Sequence, residues 1–343
     1  MPEARARVGL MGFGRIGRNA FRQLEGHPSI EVAAIADIAD PEALVYLLKY
    51  DTVFGRFHGE VTLGASGSLE VGGRSIPILQ AKDPGEVKWG DLGVDIVLQA
   101  TRKHRTAAEC AKHLEAGAKR VILASSPEDP TEIPTLLLGV NDEVAGPGTR
   151  IVALGSNTAN AVAPVLRLLN DSFGVEYALF TVVHAFTNEQ RLADVPGTDL
   201  RQSRSAAENI IPSANNSSGI VELALPALKG RLCSMALNVP VPDGSNVDLV
   251  TFLARPTSAA GVNELMAKAA QGSRVLGFTN EPIVSSDVIG SPYSGIYDGL
   301  ATMVMDGTMV KSIIWFDNGW GYAARAVDLM ERLAALDGSG VSK

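Results

Sequence analysis

Residues 6–17 read Ala-Arg-Val-Gly-Leu-Met-Gly-Phe-Gly-Arg-Ile-Gly, a short apolar strand that runs into glycines at positions 12, 14 and 17. The sequence that follows predicts a helix over 18–24, a second strand over 31–36, and then Asp37, twenty residues after the last glycine. Strand, glycine turn, helix, strand and acid in this order are typical of a dinucleotide-binding unit.

Each part of this motif has a physical task. Gly12 permits the tight turn, Gly14 lets a pyrophosphate approach the backbone, and Gly17 allows close packing of helix against strand. The helix N-terminus supplies free N–H groups and the positive end of a dipole. Asp37 can accept both hydroxyls of the adenosine ribose, and its charge repels a 2′-phosphate. The motif therefore predicts NAD as the cofactor, with NADP disfavoured.

The alternation of strands and helices continues through the first half of the chain. Further strands are predicted over 95–100, 118–124 and 149–154, with a helix over 106–115. This pattern predicts an α/β fold with a Rossmann-type doubly wound parallel sheet. The segment 62–78 alternates with glycine-rich turns and indicates a small antiparallel excursion.

Composition narrows the class of protein. The 343 residues, 46% of them hydrophobic, are enough for about two domains. No apolar stretch approaches the roughly 20 residues that a membrane-spanning helix needs. A net charge of -8 argues against general binding to nucleic acid, and two cysteines fit a reducing compartment. We expect a cytoplasmic protein that binds neither membrane nor nucleic acid, and no metal site is predicted.

Several blocks of sequence, in the same order, are similar to one known family. They lie at 12–18, 47–51, 113–119, 184–187, 190–192, 199–201, 209–212, 228–230 and 315–318. Over residues 6–334 the chain resembles the phosphorylating glyceraldehyde-3-phosphate dehydrogenases. The resemblance implies an NAD-binding domain over 1–156, completed by a C-terminal helix over 321–336. It also implies an α+β catalytic domain over 157–320 with a mostly antiparallel sheet, and a homotetramer in which 188–209 packs between subunits.

The resemblance breaks at the nucleophile. Where the family has Ser-Cys-Thr-Thr-Asn, this chain reads Ser156-Asn157-Thr158-Ala159-Asn160. An amide nitrogen is not a nucleophile, so the thiohemiacetal chemistry of the family lacks its residue. We expect Asn157 to cap a helix that opens near Asn160, or to donate to a bound carbonyl. His184, after a predicted strand over 178–183, matches the acid–base histidine of the family.

The positions that match anion-binding residues have also changed. Gln202 and Asn238 stand where the resemblance implies arginines, and Asn215, Asn216 and Gly219 where it implies a lysine and a Thr-Gly pair. Matching hydroxyl donors remain at Ser156, Thr158 and Thr187. A hydrogen bond to a charged group contributes about 1.5–3 kcal/mol, so losing two arginines weakens phosphate binding by roughly 10²–10⁴.

The resemblance also implies the cofactor contacts. Arg15 and Ile16 match residues whose backbone contacts the pyrophosphate, Thr101 lies in the loop beside it, and Asn318 matches the residue that holds the nicotinamide carboxamide. Arg102 stands where the family has glycine. The basic run 102–105 is either a solvated surface loop or a modified nucleotide site that accepts NADP or another anion.

Two functions remain open on these residues. The first is a repurposed NAD-dependent oxidoreductase acting on an uncharged or singly charged carbonyl or alcohol, with His184 moving the proton and Asn157 polarising the oxygen. The alternative is a non-catalytic NAD-binding regulator or scaffold. Ordinary phosphorylating glyceraldehyde-3-phosphate dehydrogenase activity is expected to be absent under either reading. Neither Cys110 nor Cys233 aligns with the missing nucleophile.

Overall fold

Apolar runs in the first half of the chain pair as a parallel sheet in the computed structural model, which describes residues 5–338. The strands are β1 (Ala6–Met11), β2 (Ile30–Asp37), β3 (Tyr50–Asp51), β4 (Gly55–Arg56), β5 (Val61–Leu63), β6 (Leu69–Val71), β7 (Arg74–Ile76), β8 (Ile78–Gln80), β9 (Ile96–Gln99), β10 (Arg120–Leu123) and β11 (Ile151–Ala153). The parallel sheet has the order β11-β10-β9-β1-β2-β8. The chain order reverses between β1 and β9, which is where ligands bind in open sheets of this kind.

The helices of this first part are α1 (Arg15–Leu24), α2 (Pro41–Lys49) and α3 (Ala107–Glu115). α1 begins three residues before the predicted start at 18, because Gly14 is already its N-cap residue. The antiparallel excursion is a three-stranded sheet of β5, β6 and β7, whereas β8 joins the parallel sheet beside β2.

A series of hydrogen-bonded side chains runs through the core next to β1. Trp89 is fully buried against Gly9, where an added Cβ would clash with its ring. Trp89 Nε1 donates to Nδ1 of His113 at 2.8 Å, so His113 carries its hydrogen on Nε2 and donates to Gln99 Oε1 at 3.0 Å. Gln99 Nε2 in turn donates to Thr101 Oγ1 at 2.6 Å and to the Lys103 carbonyl at 3.1 Å. These hydrogen bonds link the core to the loop after β9.

His113 is expected to make the protein less stable in mild acid. Burial lowers the pKa of His113 from 6.5 to about 4, and the charge of His104 lowers it further while Asp83 raises it. Between pH 6.5 and 4 the unfolded chain binds a proton that the folded chain does not, so the free energy of unfolding falls as the pH falls. The slope is about 1.4 kcal/mol per pH unit, or about 3 kcal/mol over the interval.

Urea unfolding of the wild type and His113→Gln across this pH range measures the effect. The variant is expected to lose the extra acid sensitivity. His58→Gln, which removes an exposed histidine from the same unit, serves as the matched control. If the free energy of unfolding had the same pH dependence in the wild type and in His113→Gln, the lowered pKa of His113 would be contradicted.

The second half of the chain forms one eight-stranded sheet with helices packed on it. Its strands are β12 (Val175–Ala185), β13 (Ile211–Ala214), β14 (Leu232–Val239), β15 (Ser245–Leu253), β16 (Leu276–Thr279), β17 (Gly295–Asp298), β18 (Met303–Met305) and β19 (Met309–Phe316). Its helices are α4 (Asn157–Phe173), α5 (Ser217–Ala224) and α6 (Ala259–Ala270), and α7 (Trp320–Leu336) follows. The order is β13-β14-β12-β15-β19-β17-β16 with β18 on β19, and the pairings are antiparallel except β12 with β14 and β16 with β17.

These observations confirm the predicted fold class, a Rossmann-type parallel sheet and a second α+β part with a mostly antiparallel sheet. The chain divides into two compact units. Among the described residues, the first unit holds 5–136, Asp142–Gly155 and 323–338, and the second holds Leu137–Asn141 and Ser156–Tyr322. Within 5–338, no helix combines the length and apolar character needed to cross a membrane.

Candidate functional site

The N-terminus of α4 sets the geometry of the polar site in the second unit. Ser156 is extended and its Oγ accepts from the Ala159 N–H at 3.1 Å, which makes Ser156 the N-cap. Asn157 is therefore the first helical residue. The expectations that Asn157 is the cap and that the helix opens near Asn160 are wrong, because the serine hydroxyl already satisfies the first turn.

The Asn157 amide is held at both ends. Its Oδ1 accepts from the Thr158 N–H at 2.8 Å, which identifies Nδ2 as the donor end. Nδ2 donates to the Asn318 carbonyl at 3.0 Å and lies 3.4 Å from Nε2 of His184. Asn157, His184 and Asn318 therefore meet, although they come from α4, β12 and the turn after β19.

His184 presents a lone pair to this amide. Its Nδ1 lies 2.6 Å from the Ala185 carbonyl oxygen, which can only accept, so Nδ1 carries the hydrogen. Nε2 is then an acceptor that faces an N–H donor on Asn157. The ring packs edge-on against Phe316, with centroids 6.1 Å apart. The arrangement suits a neutral imidazole acting as a base at Nε2.

Two buried residues that sequence reasoning missed hold Asn318 in place. Ser245 Oγ donates to Asn318 Oδ1 at 3.0 Å and accepts from the Ala185 N–H at 3.0 Å. Asp243 Oδ1 accepts from the Asn318 N–H at 3.3 Å. Both flank Gly244, which has a φ of +82° that favours glycine. The triplet Asp-Gly-Ser at 243–245, typical of a tight turn, is the sequence signal that could have found them.

A second polar group lies where the resemblance implies arginines. Gln202 Nε2 and Asn238 Nδ2 both donate to the hydroxyl of Ser213, at 2.6 Å and 2.8 Å. Asn238 is the register partner of His184 on the neighbouring strand, which places this group beside the base. Sequence reasoning missed Ser213. All three side chains are neutral, so the group offers an approaching phosphate no positive charge of its own.

The remaining predicted residues are more scattered. Ser156 Oγ and Ser217 Oγ lie 2.9 Å apart and join the starts of α4 and α5. Asn215 Oδ1 accepts from the Ser217 N–H at 2.8 Å, whereas Asn216 is exposed and makes no side-chain cap bond. Two predicted hydroxyls bond to neighbours in sequence, with Thr187 Oγ1 3.1 Å from Gln190 Oε1 and Thr158 Oγ1 3.4 Å from Asn157 Oδ1.

The two cysteines differ in their exposure to solvent. Cys110 is fully buried in α3, and burial raises the pKa of its thiol to about 12. Cys233 is exposed on β14, five residues before Asn238. At about 3.3 Å per residue, it lies about 16 Å along the strand from the register partner of His184.

The glycine turn in the first unit fits a dinucleotide. Gly12 has a φ of +97°, and a Cβ on Gly17 would clash with the Gly12 carbonyl. A Cβ on Gly14 would meet nothing within 4 Å, so the front of the turn is open. The carboxylate of Asp37 accepts from the Phe13 N–H at 2.6 Å and from the Ala39 N–H at 3.0 Å. Each oxygen keeps a second lone pair for a ribose hydroxyl.

The start of α1 shows a donor suited to an anion. Arg15 Nη1 is buried and has no hydrogen-bond partner among residues 5–338. Arg15 and Ile16 are the first two residues of α1, where backbone N–H groups lack helical acceptors. Thr101 lies against the same turn, since a Cβ on Gly12 would come within 2.9 Å of its Cγ2. The residues present therefore fit the pyrophosphate of a dinucleotide.

Known proteins match both units of the chain. Residues 6–107 match the NAD binding domain of glyceraldehyde 3-phosphate dehydrogenase, and residues 156–318 match its C-terminal domain. Glyceraldehyde-3-phosphate dehydrogenase 2 of Streptomyces avermitilis is 43% identical over 327 residues, which cover 94% of this chain and 97% of that protein. Glyceraldehyde-3-phosphate dehydrogenase of Geobacillus stearothermophilus is 43% identical over 332 residues, 96% of this chain and 98% of that protein.

Proposed function

The chain belongs to the glyceraldehyde-3-phosphate dehydrogenase family, and from that premise we propose that it is a divergent member lacking the catalytic cysteine, an NAD-dependent oxidoreductase that forms no thioester. The observation that supports this is the contact of His184 Nε2 with the Asn157 amide, at the position matched to the nucleophile. A base remains there, and a nucleophile does not.

The proposed reaction interconverts an alcohol and a carbonyl compound. A bound nicotinamide would supply the hydride acceptor for oxidation of the alcohol, or the hydride donor for reduction of the carbonyl compound. His184 Nε2 accepts the proton of the substrate hydroxyl. The 3.4 Å contact between His184 Nε2 and the Asn157 amide must break before this transfer. The released N–H of Asn157 can then donate to the carbonyl oxygen. Asn318, fixed through its Oδ1 by Ser245, keeps its amide hydrogens for the cofactor carboxamide.

The substrate class follows from the neutral group beside the base. Gln202 and Asn238 donate to Ser213 where arginines would hold phosphate. A phosphorylated substrate would have to break this network without gaining an ion pair. We therefore expect an uncharged or singly charged carbonyl or alcohol.

One observation favours a second candidate, a non-catalytic NAD-binding regulator or scaffold. The Asn157 amide is engaged by the Thr158 N–H, the Asn318 carbonyl and His184 without any ligand. Such a satisfied network can be purely structural. It would leave the cofactor unit to bind NAD and couple that binding to a partner.

Binding and turnover, measured separately, distinguish the two candidates. The protein is titrated with NAD, NADH and NADP, and then screened with C4-deuterated NADH against short uncharged aldehydes and ketones. NADH binding with stereospecific deuterium transfer is the expected result. Binding without transfer to any compound would favour the non-catalytic candidate. No binding of any dinucleotide would contradict both.

We also propose a homotetramer. The loop 188–209 exposes Leu192 and Leu200, at 72% and 81% of their surfaces. One face of the large sheet carries further exposed apolar side chains, Tyr177, Leu179, Met235 and Phe252. Exposed apolar patches of this kind mark protein–protein interfaces. Sedimentation equilibrium at micromolar concentration is expected to give the mass of four chains, and a monomer would contradict the proposal.

A further inference from the structure

The loop after β9 lies directly on the glycine turn. A Cβ added to Gly12 would lie 3.0 Å from both the Ala100 carbonyl carbon and the Thr101 nitrogen. β1 and β9 are adjacent parallel strands, so their carboxyl ends meet at the same edge of the sheet. Arg102, the next residue, is therefore held at the edge where the phosphates of a dinucleotide bind in this class of fold.

Two guanidinium groups at this edge, those of Arg15 and Arg102, interact electrostatically. Within the part of the chain that the structure describes, Arg15 Nη1 is buried without a hydrogen-bond partner, and a buried donor without an acceptor costs free energy. Partial burial is the larger cause that lowers the pKa of the Arg102 guanidinium, and the positive charge of Arg15 lowers it further. Arg18, whose Nη1 donates to the Phe13 carbonyl at 3.0 Å, adds a third positive charge. An anion between these groups would relieve their repulsion and satisfy the Arg15 donor.

The backbone on each side of Arg102 is fixed by the series of hydrogen bonds that starts at Trp89 and His113. Gln99 Nε2 donates to Thr101 Oγ1 and to the Lys103 carbonyl, and Thr101 Oγ1 also donates to that carbonyl at 2.9 Å. Arg102 thus occupies a loop with a set conformation. A preordered loop loses less conformational entropy when it binds a ligand.

We propose that Arg102 and Arg15 are a pair of side chains that bind the pyrophosphate of the dinucleotide. They supplement the backbone N–H groups at the start of α1, and guanidinium groups match phosphate oxygens in charge and geometry. The inference deepens the cofactor site and relies on the proposed function only for the identity of the ligand. The two arginines lie at the glycine turn, whereas Asp37 binds the adenosine ribose. Arg102 therefore raises the affinity for the dinucleotide without changing the preference for NAD over NADP.

Calorimetric titration of the full-length protein tests the pair. The probes are NAD, ADP-ribose, which keeps the pyrophosphate, NADP, and adenosine, which lacks every phosphate. Arg102→Gly is expected to weaken NAD and ADP-ribose binding about 10-fold and to leave adenosine binding within about two-fold. The ratio of NAD to NADP affinity is expected to stay constant. Added salt should weaken ADP-ribose binding less in the variant than in the wild type.

Lys103→Ala is the matched control, since it removes the adjacent exposed positive charge, and it is expected to bind ADP-ribose like the wild type. Thermal unfolding checks that Arg102→Gly folds. Equal or tighter ADP-ribose binding by Arg102→Gly would overturn the inference, as would an equal loss for adenosine. Neither result would affect deuterium transfer by the wild type, so the proposed function would remain supported. A wild type that binds no ADP-ribose would also overturn it.

Discussion

With glyceraldehyde 3-phosphate, inorganic phosphate and NAD, the protein is expected to turn over about 10⁶-fold more slowly than a relative with a cysteine nucleophile. Asn157 offers an amide nitrogen, whose lone pair is delocalised and cannot attack an aldehyde. Cys110 is buried, and Cys233 lies on a distant part of β14. The appearance of NADH, followed by its absorbance, measures the rate. Turnover within about 100-fold of a cysteine-containing relative would contradict the reading of position 157.

Asn157→Cys separates the loss of the nucleophile from the loss of the phosphate sites. A cysteine in the first turn of α4, beside His184, is expected to ionise readily and to be alkylated by iodoacetamide. Turnover should rise above that of the wild type and stay below that of the relatives, because Gln202 and Asn238 remain neutral. Asn157→Ala, which removes the amide without adding a thiol, is the control and should stay at background.

The features that sequence could predict are local ones. The glycine turn, the apolar strands around it and Asp37 follow one another along the chain, and each has a backbone reason for its residue type. The start of α4 was misplaced for a local reason as well. Ser156 and Asn157 are both good capping residues, and only the observed Ser156 Oγ contact with the Ala159 N–H distinguishes them.

The polar site depends on pairings that spacing does not reveal. Asn157 and Asn318 lie 161 positions apart, and their bond exists because α4 and the turn after β19 meet in the fold. Ser213 meets Asn238 because β13 and β14 pair antiparallel, and Gln202 reaches Ser213 from the loop before β13. The sequence could show that these positions carry neutral amides, but it could not show which hydrogen bonds those amides make.

His184→Ala is expected to lower deuterium transfer from labelled NADH by about 10²–10⁴-fold, the usual contribution of a general acid or base. His184 Nε2 is the acceptor in the site, since Nδ1 carries the hydrogen bonded to the Ala185 carbonyl. The wild type is first screened with small uncharged aldehydes, and the best substrate is then used for both proteins. NADH affinity is expected to stay unchanged, because the glycine turn belongs to the other unit.

Two matched variants test whether the loss of deuterium transfer comes from removing the base His184. His58→Ala removes an exposed histidine and should transfer deuterium at the wild-type rate. Asn157→Ala removes the donor that faces Nε2, and its rate should fall by about 10-fold, since one hydrogen bond to the carbonyl oxygen is lost while the base remains. A normal rate in His184→Ala would show that the proton goes elsewhere. A loss in Asn157→Ala equal to that in His184→Ala would instead assign the main role to the position of the imidazole, because Asn157 would then act by holding Nε2 in place.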